Sequence, residues 1–520
     1  MPAFDSQLST VNYEGILAFD SQLSTVNCAP HAHLGNRGDR MSGLAGWVRL
    51  RKFAFPFVVA LFIVAIALFK VAGPARAQQR REREPNSVYA ERRGKLLSQV
   101  DGPVVLAGYT GREEESQTYI FAQEDNFYYL TAHNEEGAAL LLVPERANHG
   151  ANAKAWDGPR EILFLPPADR RRQQWIGVRM APDDPGIADK TGFAAVKPLP
   201  ELRAAVEKLA DIFPNFYTIL PYQKELGGYP HEKEWTGWLA QAAPQVKLND
   251  VRAAIGAMRQ KKSPGEIAFL AKAVDASVDA HLEAMKMMRP GLYEYQVAAK
   301  MVYIHSMEGC EAEAYAPIVG AGFNSTSLHY DQLSKKIEDG DIVVLDVGAQ
   351  FSGYAADITR TLPANGKFTP RQREIYEIVL GAQNAAIAAL KPGMTFARKG
   401  PNSLWQIAYD YINSHGKDKE GRSLGPYFIH GLGHHIGLDV HDAGDPSRPL
   451  EPSMVVTIEP GIYIPEENLG VRIEDDFLVT ETGYKMLSDK LPRSVEEIEK
   501  IMAPSQKERS KGKEGAPRDD

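Results

Sequence analysis

The sequence predicts an α+β chain built as two folded domains, and three observations predict it. At 520 residues and 57.4 kDa the chain exceeds what one ordinary hydrophobic core absorbs. Between Asn86 and Lys247, short apolar runs alternate with helical stretches, the pattern of an α/β domain. From Asp250 to Ile501, long helices with clear start and stop signals alternate with paired β-type runs. That second pattern reads as helices laid against a curved antiparallel sheet. With 44% hydrophobic and 24% charged residues the bulk is globular. A formal charge of -8 gives no electrostatic reason to expect a nucleic-acid partner. The only cysteines are Cys28 and Cys310, which support neither a disulfide framework nor a thiolate zinc site.

In chain order, residues 1–40 come first. Ala3–Asn12 and Ala18–Asn27 both read AFDSQLSTVN, an identical repeat without hydrophobic periodicity. Two copies do not make a solenoid, which needs three or more stacked units. The repeat is expected to be a non-native or disordered leader ahead of a true start at Met41. Residues 41–77 then follow the export pattern. Arg49, Arg51 and Lys52 form a basic region, Phe53–Phe69 is apolar apart from the break at Pro56, and Ala75-Arg76-Ala77 is a small-x-small site before Gln78. Cleavage at that site and retention as a membrane anchor are the two readings. Both put the catalytic part outside the cytoplasm, periplasmic or extracellular, with the membrane touched only through this segment.

The first folded domain spans 86–247. A helix-like stretch opens at Tyr89, and Pro103–Gly108, Phe127–Thr131, Ala138–Pro144 and Glu161–Leu165 are apolar runs of buried-strand type. The segment from Ala168 to Gly192 reads as a polar, Arg-rich loop. The aromatics Phe127, Tyr128 and Tyr129 read as core. No nucleophile or phosphate loop stands out, so this domain is expected to shape or cover a site that lies elsewhere.

The second domain spans 250–501. Ser263, Pro264 and Glu266 form a capping box at the head of a helix that Pro290-Gly291 closes. Tyr293–Met307, Pro370–Leu390 and Asn402–His415 are further helices. Ile337–Val347 and Gly353–Leu362 read as two strands around a turn at Ser352-Gly353, and Met454–Glu459 and Val471–Thr480 as two more. The tail 505–520 is charged, lacks an apolar pattern and is expected to be disordered.

Five side chains in this domain could hold metal: Asp346, Asp357, His434, Glu459 and Glu474. Four carboxylates and an imidazole, with no thiolate, suit two divalent cations such as Mn²⁺, Co²⁺ or Zn²⁺. A single aspartate at a strand end is more simply explained by an arginine partner such as Arg360. Four carboxylates in apolar, β-type sequence are not, because a buried unpaired carboxylate is very costly. In HGLGHHIG, His430 and His434 have the i, i+4 spacing of a zinc-protease helix, but the glutamate beside the first histidine is absent. Gly431, Gly433 and Gly437 also argue against a helix, so a tight loop carrying one ligand histidine fits better.

The motifs LDVGAQFSGYAADITRT, HGLGHHIGLDVHD, TIEPGIY and GVRIEDD, in this order, resemble those of the pita-bread metallopeptidases, family M24. With Leu328-His329-Tyr330, Arg289–Tyr295 and the run FYYLTAHNEEGAALLLVP, the chain from Asn86 to about Arg493 resembles the aminopeptidase P family. The resemblance implies a pita-bread catalytic domain preceded by a smaller creatinase-like α/β domain. It implies that Asp346, Asp357, His434, Glu459 and Glu474 bind two metal ions, manganese first, and that a hydroxide between them attacks the bond before proline. Asp357 and Glu474 would bridge the ions, and Glu459 would also exchange a proton with the nucleophile. His329, His430 and His441 would position substrate, and Arg472 would orient the site. The expected substrate is a peptide with proline in second position, and the expected assembly a homodimer or tetramer. The rival readings are a prolidase restricted to Xaa-Pro dipeptides, a methionine aminopeptidase, which would not carry this first domain, and a non-catalytic binding module, which would have lost a ligand.

Overall fold

The structure is a computed structural model that describes residues 81–111, 113, 121–145, 155–221 and 230–503, all within one unit, Ala77–Asp520. The leader, the export segment and the tail lie outside the described residues. Among the described residues no helix is long and apolar enough to cross a membrane.

The first sheet is built from β1 (Val104–Ala107), β2 (Ala139–Leu142), β3 (Glu161–Leu165), β4 (Ala195–Pro198), β5 (Asn215–Thr218) and β6 (Lys247–Asp250). Its order is β4-β3-β2-β1-β5-β6. The β1–β2 and β2–β3 pairs are antiparallel, and β3–β4, β1–β5 and β5–β6 are parallel. Side chains alternate across it. Val105, Leu141, Ile162 and Phe164 face a core closed by the helices Leu202–Ala210 and Pro230–Ala242. Val104, Leu106, Leu140 and Leu163 face the other way, into a core shared with the second half of the chain. Both faces are covered, so these strands read as unbroken apolar runs and not as alternating ones.

Two expectations for this region are corrected. Phe127–Thr131 is not a strand but part of a helix, Asp125–Thr131, capped by Glu124, whose carboxylate accepts from the Phe127 N–H at 2.7 Å. Every residue from Asn126 to Thr131 is buried, and an apolar run buried on all sides has no period to separate helix from strand. The Ala168–Gly192 segment is not all loop: it holds the short helices Arg170–Ile176 and Ile187–Thr191. The aromatics Phe127, Tyr128 and Tyr129 are core, as expected.

In the second half, the helices Pro264–Met287 and Glu294–Met307 pack together, as do Pro370–Ala389 and Leu404–His415. The capping box predicted at Ser263 forms with Glu266, and Thr369 and Gln372 make another. The strands of the expected antiparallel sheet pair in four small groups, bridged between Thr359 and Glu474. They are made from β7 (Ala312–Glu313), β8 (Ile318–Ala321), β9 (Ile342–Asp346), β10 (Ala349–Phe351), β11 (Tyr354–Ala355), β12 (Thr359–Pro363), β13 (Val455–Ile458), β14 (Gly461–Ile464), β15 (Leu469–Arg472), β16 (Asp475–Val479) and β17 (Tyr484–Met486). The groups are β12-β9-β8, β11-β10-β7, β13-β16-β17 and β14-β15. Two of the four predicted strands are broken: Gly353–Leu362 into β11 and β12, and Val471–Thr480 between β15 and β16. The turn at Ser352-Gly353 is where it was expected, and both residues have positive φ (53° and 88°), as a two-residue hairpin requires.

Arg259 ties the two halves together. Its guanidinium donates to Asn126 Oδ1 (2.9 Å) and Asp125 Oδ2 (3.2 Å) of the first half and to Asp442 Oδ1 (2.5 Å) of the second. Lys262 adds a second cation to Asp442 at 3.0 Å. The loop carrying His441 is thus anchored next to the first half of the molecule.

Candidate metal centre

The nine side chains singled out from the sequence all line one cavity of about 420 Å³. They reach it from ladder ends and loops. Asp346 is the last residue of β9, Asp357 lies between β11 and β12, Glu459 follows β13, and Glu474 sits between β15 and β16. Only Asp346 is on a strand. The others sit where a ladder stops: Glu474 N–H donates to Thr359 O (3.1 Å), Glu459 N–H to Leu432 O (2.8 Å) and Asp357 N–H to Asp476 Oδ2 (3.1 Å). The strand register does the rest, because β12 sets Thr359 directly opposite Asp346.

The His430–Asp442 segment is not helical, in keeping with its glycines. A Cβ on Gly433 would lie 2.1 Å from Thr457 O, so only glycine lets this loop close on β13. That closure fixes His434, whose N–H donates to Thr457 Oγ1 (3.1 Å) and whose carbonyl accepts from Thr457 N–H (3.0 Å). Its Nδ1 is 3.1 Å from the His435 carbonyl and must donate to it, which turns Nε2 towards Asp357 Oδ2 at 3.3 Å, the nitrogen that a metal ion would take in place of a proton. Ligand atoms of Asp357, His434 and Glu474 all lie within 4.8 Å of one another.

A polar network holds these groups. The Tyr315 hydroxyl is 2.6 Å from both Asp346 Oδ1 and Asp357 Oδ1. Arg472 donates to Asp346 Oδ2 (2.5 Å), Tyr463 Oη (2.9 Å) and Thr359 Oγ1 (3.2 Å). The Thr359 hydroxyl donates in turn to Glu474 Oε2 (2.7 Å). Tyr463 donates to His430 Nε2 (2.9 Å), while His430 Nδ1 donates to the Gly431 carbonyl (2.7 Å). Both nitrogens of His430 are therefore engaged. His329 and His441 are exposed at the mouth, and their ring nitrogens make no hydrogen bond among the described residues. The His441 ring stands edge-on to His434, with centroids 4.4 Å apart. Glu459 directs one oxygen to His434 Nε2 and the other to His430 Nδ1, each at 3.7 Å.

The electrostatics favour added positive charge. Burial drives the Glu474 and Asp346 carboxyls above their ordinary range, with neighbouring carboxylates adding to it. Burial likewise pushes Glu459 up to about 7. Burial opposes charge on His434, yet the bond to Asp357 and the field of Glu459 raise it to about 9. Arg472 is the one permanent cation among the lining residues, against five carboxylates, four of them the ligand candidates. Buried charge of one sign in such excess is what divalent cations neutralise, and an all-oxygen and imidazole donor set matches them. Arg360, the rival partner for a strand-end aspartate, pairs instead with Asp475 at 2.6 Å.

Three residues escaped sequence reading: Tyr315, Thr359 and Tyr463. Tyr463 sits inside the TIEPGIY motif and Thr359 inside the DITRT motif. A lone tyrosine between alanines, as Tyr315 is, carries no spacing signal at all.

Two family models match the chain: Metallopeptidase family M24 over residues 268–481, and Aminopeptidase P, N-terminal domain, over residues 89–213. The chain is similar to the Xaa-Pro aminopeptidase of Haemophilus influenzae, 33% identical over 446 residues, covering 80% of this chain and 97% of that protein. It is also similar to an Xaa-Pro dipeptidase of Pyrococcus furiosus, 42% identical but over 246 residues, 46% of this chain and 66% of that protein. Among solved structures it resembles zinc-substituted Escherichia coli aminopeptidase P in complex with product, with TM-score 0.71 and 30% identity over 82% of this chain and 100% of that one.

Proposed function

This chain belongs to the Xaa-Pro aminopeptidases of metallopeptidase family M24, and on that premise we propose that it removes the amino-terminal residue from peptides whose second residue is proline. The observation that carries the reading is the convergence of four carboxylates and His434 on one cavity of peptide size. Asp346, Asp357, His434, Glu459 and Glu474 would hold two divalent ions, which supply Lewis acidity and a water acidic enough to act near neutral pH. Manganese is the proposed ion, supported by a donor set with four carboxylates.

The chain's own residues do the remaining work. Arg472 and Tyr315 fix the carboxylate oxygens of Asp346 and Asp357, so that both present a set geometry without rearranging during the reaction. His329 and His441, with free ring nitrogens at the mouth, are placed to orient the peptide and to donate to the carbonyl oxygen as charge develops on it. Glu459 can hold a proton on a carboxyl oxygen and deliver it to the proline nitrogen as the bond breaks. That nitrogen carries no N–H in the peptide, so a site that recognised the amide donor would fail here. His430 joins the Arg472–Tyr463 chain to the cavity wall.

The prolidase alternative is weighed by the extent of similarity. The dipeptidase relative matches 46% of this chain, whereas the aminopeptidase relative runs through both halves. Hydrolysis of an Xaa-Pro dipeptide beside an Xaa-Pro-Yaa tripeptide tests the choice. The tripeptide should be cleaved with the higher kcat/KM, and activity confined to the dipeptide would remove the proposal. Export and self-association are part of the same reading, supported by the basic and apolar run before Gln78 and by the family resemblance. Exported protein should begin at Gln78 and sediment as a dimer or tetramer; a cytoplasmic or monomeric chain would refute the respective part.

A further inference from the structure

Behind the metal centre, the long helix Pro264–Met287 buries His281, which is 1% exposed. Its Nε2 lies 3.2 Å from the Val347 carbonyl and 3.0 Å from the Ile358 carbonyl. Both partners are acceptors only, so Nε2 carries the proton and donates to both. Nδ1 is then a buried acceptor, and it has no partner among the described residues. Burial pushes the imidazole down to about 3, so it is neutral and holds one N–H. A buried ring that leaves one nitrogen unsatisfied in order to share its only proton between two carbonyls calls for an explanation.

The identity of those carbonyls supplies it. Val347 follows Asp346, and Ile358 follows Asp357. The β9–β12 ladder ends at the Asp346–Thr359 pair, where the chain leaves for the β10–β11 hairpin. Beyond that pair Val347 N–H still reaches Ile358 O, at 3.2 Å. His281 therefore grips both strands at the first position past the ladder, one residue from each aspartate. We propose that His281 is a positioning residue for the metal centre: its single N–H clamps the two carbonyls that follow Asp346 and Asp357 and so fixes how those carboxylates stand relative to each other. It touches neither substrate nor metal.

The inference rests on the two-metal reading, and the test separates the two. Manganese(II) is titrated into chelated full-length protein, with bound ions counted by elemental analysis and folding followed by thermal unfolding. Four proteins are compared. H281L removes the donor at similar volume. H281Q returns an N–H on a side chain of comparable reach. S277A is the control: one turn earlier on the same helix, the Ser277 hydroxyl accepts from Ala349 N–H at 2.9 Å, away from both carbonyls. Wild type should bind two ions. H281L should need about tenfold more manganese to fill both sites. H281Q should fall within about threefold of wild type by the same scale, and S277A should lose melting temperature without moving the metal affinity. Should H281L not fold, H281N, too short to span both carbonyls, takes its place with the same expected loss. Wild-type manganese affinity in the variant lacking the clamp overturns the proposal, as does an equal loss in S277A. A wild-type chain that binds no manganese overturns the two-metal reading itself.

Discussion

At the scale of single residues, the site depends on groups that hold the ligand side chains in place. Tyr315 is the clearest. Its hydroxyl touches Asp346 and Asp357 at once, and burial beside those carboxylates holds its own proton firmly in place. Replacing Tyr315 by Phe keeps the ring and deletes that proton. The variant should fold with a melting point close to wild type, yet lose about 10–100-fold in metal affinity or kcat/KM. A metal titration with tripeptide kinetics checks this, and full retention of both would show the hydroxyl to be dispensable. All five ligand candidates and all four supporting residues named from the sequence line the same cavity, because they stand in motifs dense in carboxylate and imidazole. Their supports were not legible. Nothing in a sequence says that Thr359 faces Asp346 until the register is known.

At the scale of elements, the interruptions matter more than the strands. Asp357, Glu459 and Glu474 all sit beyond the end of a ladder, which frees them from the strict alternation of a strand and lets them turn towards one point. Glycine makes the close crossings possible. A Cβ on Gly348 would lie 1.9 Å from the Ala356 carbonyl, between the segments that carry Asp346 and Asp357. Gly348→Ala must therefore push those segments apart, and the enzyme should lose at least about tenfold in metal affinity together with a lower melting temperature. An alanine variant with unchanged metal binding would mean the segments yield without moving the carboxylates. Helix starts were legible because Ser263 and Thr369 announce them chemically. The Asp125–Thr131 helix was not, since burial on every side erases its period. The broken strands were misread for another reason: each break is only two or three residues long, Ala356–Ile358 and Ile473-Glu474, and keeps an apolar residue beside its carboxylate.

At the scale of the whole molecule, the first half contributes position. The loop that carries His441 is held by Asp442, which buried Arg259 and Lys262 keep ionised, its carboxyl below the ordinary range despite burial. Arg259 in turn is bonded to Asp125 and Asn126 of the first half. The first half thus braces the loop that carries His441. Family membership then follows from similarity that runs through both halves, not from the metal-binding motifs alone. The claim that most depends on the rest is that two ions and this cavity together cleave the bond before proline. It is tested most directly by titrating metal into the chelated full-length chain while recording release of the first residue from an Xaa-Pro-Yaa tripeptide. The account predicts no release without metal and full activity when two ions are bound per chain; a chelated protein as active as the metal-loaded one would contradict it.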